Sequence, residues 1–142
     1  MWSNHHTLIT DASKESIWKV WADVDSWHQW DEAVEQCKLS GEFKTGATFT
    51  LKPVGGPAVA GVVTEYQPNR SFSNVTSLPL AKMEFVHEMI EVAGGVQLTH
   101  GVNISGPLGF VWARIIGKKT VAGLPPAMST LVRLAKGQDT HG

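Results

Sequence analysis

His87 and His100 are the residues best placed for chemistry in this chain. Each stands at an alternating position in a period-two run, the first from Lys82 to Glu91 and the second from Val96 to Ile104, with Gly94-Gly95 between them. Successive side chains of a strand point to opposite faces. Met83, Phe85, His87 and Met89 therefore share one face of the first run, and Leu98, His100, Val102 and Ile104 share one face of the second. A hairpin closed at Gly94-Gly95 sets the two imidazoles directly or diagonally opposite on an apolar surface, and the spacing leaves that register open. An imidazole that titrates near neutrality can remove a proton alpha to a carbonyl and return it to a leaving hydroxyl, the work of a cyclisation or a dehydration. Two other readings stand beside this one. The pair can bond to backbone or to each other and simply line a cavity, or it can hydrogen-bond a ligand without chemistry. No carboxylate pair assists, because Glu84 and Glu88 lie on the opposite face.

Other candidates line the same prospective pocket. Trp27 and Trp30, three apart, fall on one side of a short helix and can stack on a flat ligand or seal the end of a core. Met83, Phe85, Met89, Leu98 and Val102 suit a pocket wall, and suit a plain core equally well. Cys37 is the sole cysteine, so the chain forms no internal disulfide and no thiolate cluster, as expected in a reducing compartment.

These residues need elements to hold them. Trp2 to Ile9 reads as a first strand. Ser13 is a candidate N-cap with Glu15 in the first turn, and Ile17, Val20, Trp21 and Val24 recur at helical spacing, with Trp18 on the margin. Asp25-Ser26 predicts a second cap, starting a short helix through Asp31. Period-two patterning then predicts strands Val34–Ser40, Ala47–Lys52, Val59–Gln67, Ser71–Ser77, Lys82–Val92 and Val96–Ser105, separated by Gly-, Pro- and Asn-rich turns. Helical spacing returns from Leu108 to Ala135, with a kink or a brief break expected near Gly123-Leu124 because Pro125-Pro126 removes two backbone donors. Residues 138–142 read as a flexible tail after a single domain over 1–137.

Composition excludes several classes. A formal charge of −1 over 142 residues shows no basic excess of the kind nucleic-acid binding needs. The first residues have neither a basic nor an apolar signal region and no stretch is apolar enough to span a bilayer, so a cytoplasmic protein without a transmembrane segment is expected. The glycine-rich loops lack the strand–turn–helix setting and the Lys-Ser/Thr ending of a phosphate cradle. Arg114, Lys118, Lys119, Arg133 and Lys136 make the last helix locally basic, which suits either a solvated outer face or an anionic head group.

One strand, two short helices, six strands and a long helix define an α+β order, β-α-α-β6-α. A resemblance rests on Ser13-x-x-x-Ile17-Trp18-x-x-Trp21, Trp27-x-x-Trp30-Asp31, Gly41-x-Phe43-x-x-Gly46, Phe85-x-His87, Gly94-Gly95-x-x-x-Thr99-His100 and Ser105-Gly106-Pro107-Leu108. In these, nearly the whole chain resembles the START-like, Bet v 1-like superfamily, and more narrowly its polyketide cyclase/dehydrase-like branch. The resemblance implies a helix-grip fold, a curved seven-stranded antiparallel sheet wrapped around the C-terminal helix. It implies as well an internal cavity for a hydrophobic small molecule: lipid, polyketide or another aromatic compound. Some members are cyclases or dehydratases and others regulate a chaperone, and no common catalytic triad carries over. In such a fold the first strand pairs with the last, so His6 can join His100 and His87 across three strands. No ligand spacing within one element supports zinc there, and neither a metal nor a cofactor is expected. The expectation is a monomeric or homodimeric binder of a hydrophobic ligand. The alternatives are a cyclase or dehydratase using His87 and His100 as acid and base, and a protein-interaction module resembling the chaperone activators.

Overall fold

The computed structural model describes residues 2–141, without the side chains of 138–141, so the expected tail lies outside the residues described in full. Strand β1 (Trp2–Thr10) leads through helix α1 (Lys14–Ala22) and a 3-10 helix (Val24–Gln29) into β2 (Val34–Ser40), β3 (Thr48–Pro53), β4 (Val59–Gln67), β5 (Ser71–Leu78), β6 (Ala81–Val92) and β7 (Gly95–Ser105). Helix α2 (Gly109–Trp112), a π-helical turn (Ala113–Gly117) and α3 (Lys118–His141) complete the chain. The sheet order is β1-β7-β6-β5-β4-β3-β2, antiparallel throughout. The two short helices thus carry the chain from one sheet edge to the other, and the meander returns to pair β7 with β1. This is the curved sheet and long terminal helix of the helix-grip fold.

Period-two patterning translates directly into burial. In β7 every second residue from Val96 to Ile104 is buried, and the intervening ones are not. Register shifts at Val34/Gln36 in β2 and at Val63/Glu65 in β4 add an unpaired residue to each strand, which bends it and helps curve the sheet. Gly61 is required where the Phe49 ring lies flat over β4, because a Cβ there would overlap the ring. Helix α1 starts as its sequence dictates, with Ser13 Oγ accepting from Ser16 N–H at 3.2 Å and Ile17, Val20 and Trp21 turned into the core. The other side of the core comes from Met128, Leu131 and Ala135 of α3.

Two expectations are corrected. Asp25 does not cap a helix: the 3-10 turn starts earlier, and Asp25 Oδ1 accepts from Leu39 N–H at 2.8 Å. Leu39 lies on the sheet's edge strand, where a backbone donor facing away from β3 needs a partner. The break in the last helix falls at 113–117, and helical structure runs through Pro125 and Pro126. The carbonyls deprived of a donor belong to the half-buried Val121 and the exposed Ala122. The π turn instead ends at Gly117, buried against the Trp2 indole, where a Cβ would stand 3.0 Å from a ring carbon.

Leu80, in the β5–β6 turn, has a φ of 55°, a conformation that costs a leucine about 1–2 kcal/mol. Leu80→Gly is expected to leave the fold intact and to lose little or no stability in urea denaturation, the relief of strain offsetting the added chain entropy. Gly61→Ala should lower stability by about 1–3 kcal/mol through overpacking against Phe49.

Candidate functional site

The strand registers place one row of rings across five strands. Tyr66 pairs with Phe72, Phe72 with His87, His87 with His100, and His100 with His6. The two central imidazoles are therefore directly opposed, with ring centroids 4.6 Å apart and planes at 76°. His87 stacks face to face on Phe72 at 4.0 Å. Trp21 descends from α1 onto this row, its ring 5.3 Å from Phe72 and 5.6 Å from His87.

The hydrogen bonds determine the tautomers. Trp21 Nε1–H donates to His100 Nε2 at 3.2 Å, so that nitrogen presents a lone pair and the His100 proton sits on Nδ1. The Phe72 carbonyl only accepts, so His87 Nδ1 at 3.3 Å carries the proton of that bond. Trp27 Nε1–H donates to the Trp21 carbonyl at 2.9 Å, while Trp30 Nε1, also buried, has no hydrogen-bond partner among the described residues. Burial pushes the His87 imidazole down to about 3, opposed in part by the Phe72 carbonyl. His100 is held well below its ordinary value, first by burial and then by repulsion from His87 and His6. Both rings are neutral at physiological pH. Burial likewise pushes the Cys37 thiol up to about 12, which leaves it protonated and inert.

The sequence-derived candidates separate into two places. Trp27, Trp30, Met89 and Leu98 belong to the larger core cluster, beneath α1 and around the histidines. Met83 and Val102 form a second, smaller cluster with Ile104, against which Phe85, Trp2, Trp112 and Ile116 pack half-buried. Phe85 shares the inner face of β6 with the buried Met83, His87 and Met89 and is itself only partly covered. A groove of about 470 Å³ opens here, walled by Trp2 and Ile104 from the sheet and by Gly109, Phe110, Ala113 and Arg114 from the helical segment. Sequence reasoning missed this groove. Its walls come from residues about a hundred positions apart, and no local pattern marks them as neighbours. Phe72 was missed too, although extending the pairing from β6 to β5 would have placed it beside His87. His6 is in register with His100, but no cluster of three or more His, Cys, Asp or Glu among the described residues could hold a metal ion.

Comparison with known proteins agrees with this architecture. The sequence pattern of the family described as polyketide cyclase / dehydrase and lipid transport matches residues 1–134. The chain belongs to that family. No curated protein matches the sequence. Among solved structures, protein MLL2253 from Mesorhizobium loti superposes with a TM-score of 0.74 at 16% identity, over 95% of this chain and 97% of that one. The di-domain ARO/CYC StfQ of the steffimycin biosynthetic pathway gives 0.75 at 12% identity, over 97% of this chain and 51% of that one. Ara h 8.0201 gives 0.67 at 12% identity, over 99% of both chains. At these identities the neighbours establish the shared fold. No helix among the described residues of this polyketide cyclase/dehydrase family member is long and apolar enough to cross a membrane.

The buried imidazoles make stability depend on pH. Unfolded, they titrate near 6.5, whereas the folded protein holds both below that value. Stability is then complete above that pH and declines as pH falls toward about 3, because the unfolded chain takes up protons that the folded one refuses. Each histidine contributes a slope of about 1.4 kcal/mol per pH unit inside this window. Urea denaturation from about pH 7.5 down to about pH 5 is expected to show the decline, and His87→Gln to show it with one histidine's slope removed. Equal slopes in the two proteins would mean that His87 is solvated. At neutral pH, Trp21→Phe should lose about 1–3 kcal/mol, since it leaves His100 Nε2 buried without its donor.

Proposed function

We propose that the protein binds a hydrophobic small molecule between the sheet and the C-terminal helical segment, entering at the end formed by Trp2, Ile104, Phe110 and Ala113. The observation that carries this reading is the groove of about 470 Å³ between the Trp2–Ile104 end of the sheet and the helical segment, backed by the apolar cluster of Met83, Val102 and Ile104. That volume suits a small organic ligand, for which sites commonly run to about 300–1,000 Å³. Membership of a family that includes lipid transport supports the same direction. In this reading Met83, Phe85 and Val102 pack behind Ile104 and support the groove wall, while Trp27, Trp30, Met89 and Leu98 fill the core at the far end.

The alternative, a cyclase or dehydratase with His87 and His100 as acid and base, draws support from the family description and from one structural neighbour, the di-domain ARO/CYC StfQ. The site's electrostatics favour it less. The His100 Nε2 lone pair is taken by Trp21, and both imidazoles sit far from the neutral pKa at which a general base works best.

Native mass spectrometry of freshly purified protein, followed by organic extraction, tests for a carried ligand. In solution, 1-anilinonaphthalene-8-sulfonate is expected to bind saturably, Ala113→Trp to weaken it by about tenfold or more, and His87→Gln to leave it unchanged. Undiminished binding by Ala113→Trp would move the site elsewhere, and turnover of a polyketide-like substrate lost in His87→Gln would favour the enzyme.

A further inference from the structure

The rim of the groove carries a surface that a ligand inside the protein does not explain. Three of the six exposed large hydrophobic residues among those described belong to the segments that meet at this end, Leu80 in the β5–β6 turn, Phe110 in α2 and Ile115 in the π turn, each about two-thirds exposed. The β5–β6 turn is fastened to the start of the helical segment by Leu108 N–H donating to the Leu80 carbonyl at 3.0 Å and Trp112 Nε1–H to the Pro79 carbonyl at 2.9 Å. The fold therefore holds a strained backbone at Leu80 while leaving its apolar side chain in water. Scattered surface hydrophobes need no explanation, but a strained one fastened to the helical segment that carries two others does.

Charge singles out the same end. Phe110, Arg114 and Lys118, and then Ile115 and Lys119, recur at spacings of four, and all five are exposed. Arg114, Lys118 and Lys119, like Lys19, Lys38, Arg70, Lys82 and Arg133, have no ion-pair partner among the described residues, and they stand together within six residues. From residue 92 to residue 138 the sequence contains five Lys or Arg and no Asp or Glu, although the whole chain is formally −1. A protein without net positive charge thus concentrates unneutralised cations next to its most exposed apolar tips.

We propose that this end docks on an anionic lipid bilayer. Leu80, Phe110 and Ile115 enter the boundary between head groups and acyl chains, and Arg114, Lys118 and Lys119 lie among the phosphates. A polyanion such as nucleic acid would use the cations and leave the three apolar tips in water, so the combination favours lipid. Docking of this kind turns the groove mouth toward the membrane and lets an apolar ligand pass without crossing water. Only that direction of transfer rests on the ligand-binding reading above; the docking itself does not.

Co-sedimentation of the full chain with vesicles of phosphatidylcholine and phosphatidylglycerol, and with phosphatidylcholine alone, is the test. Binding is expected only to the anionic vesicles and should weaken as salt rises. Each cation removed costs about fivefold in partitioning, so Lys118→Gln/Lys119→Gln should bind about thirtyfold more weakly. Leu80→Asn/Ile115→Ser should also bind more weakly while keeping its circular dichroism spectrum and its binding of 1-anilinonaphthalene-8-sulfonate. Absence of binding to anionic vesicles at low salt overturns the proposal. So does binding that Leu80→Asn/Ile115→Ser leaves unchanged, or tighter binding to duplex DNA than to the vesicles. Vesicle binding without probe binding would remove the ligand reading and leave the docking standing; the reverse would remove the docking alone.

Discussion

The interior of this protein depends on keeping two imidazoles neutral in a dry core. An uncompensated charge buried there would cost several kcal/mol, so each ring has to stay uncharged and find a partner for a polar nitrogen. His87 donates a hydrogen bond to the Phe72 carbonyl and lies flat on the Phe72 ring; His100 accepts one from the Trp21 indole. The second bond joins α1 to the centre of the sheet. Through the Trp27 indole bonded to the Trp21 carbonyl, the 3-10 turn is tied to the same point. One row of rings thus aligns the strands beneath it and fixes where the helices cross above.

That arrangement divides the molecule by function. The histidine end is sealed by Trp21, Trp27, Trp30 and Phe72, all buried, in contacts that neighbouring strands dictate. At the other end the cover is a short helix, a π turn and the start of α3, which leave Phe85, Trp112 and Ile116 partly open. Gly117 lets the π turn close on Trp2, so the irregular backbone and the groove wall share one cause. The member of the polyketide cyclase/dehydrase and lipid transport family described here is rigidly filled where its titratable pair lies. It is accessible where its apolar surface meets free cations.

Much of the architecture was legible in residue order. The six-strand meander emerged to within a residue or so at nearly every boundary because each strand buries one face, and a period of two can satisfy only one facing. The Ser13 cap was equally legible, since a hydroxyl three residues before a free backbone donor is a local geometry. Failures occurred where a local signal had a tertiary competitor. Asp25 had a cap to make and an edge-strand donor to satisfy, and the donor prevailed; the helix continues through the proline pair, and its break lies at 113–117, where Gly117 closes on Trp2.

For the candidate site, the sequence by itself determined that His87 and His100 share an apolar face on adjacent strands, because alternation and a Gly-Gly turn are properties of a single stretch of chain. It determined too that the residues from 92 to 138 carry no acid. Only the tertiary structure decided that the imidazoles are directly opposed and dehydrated and that Trp21 occupies one lone pair. Only it set Trp2, Ile104 and Phe110 around one groove. Solvation and contact between distant residues depend on what covers a face, and no period along the chain encodes the cover.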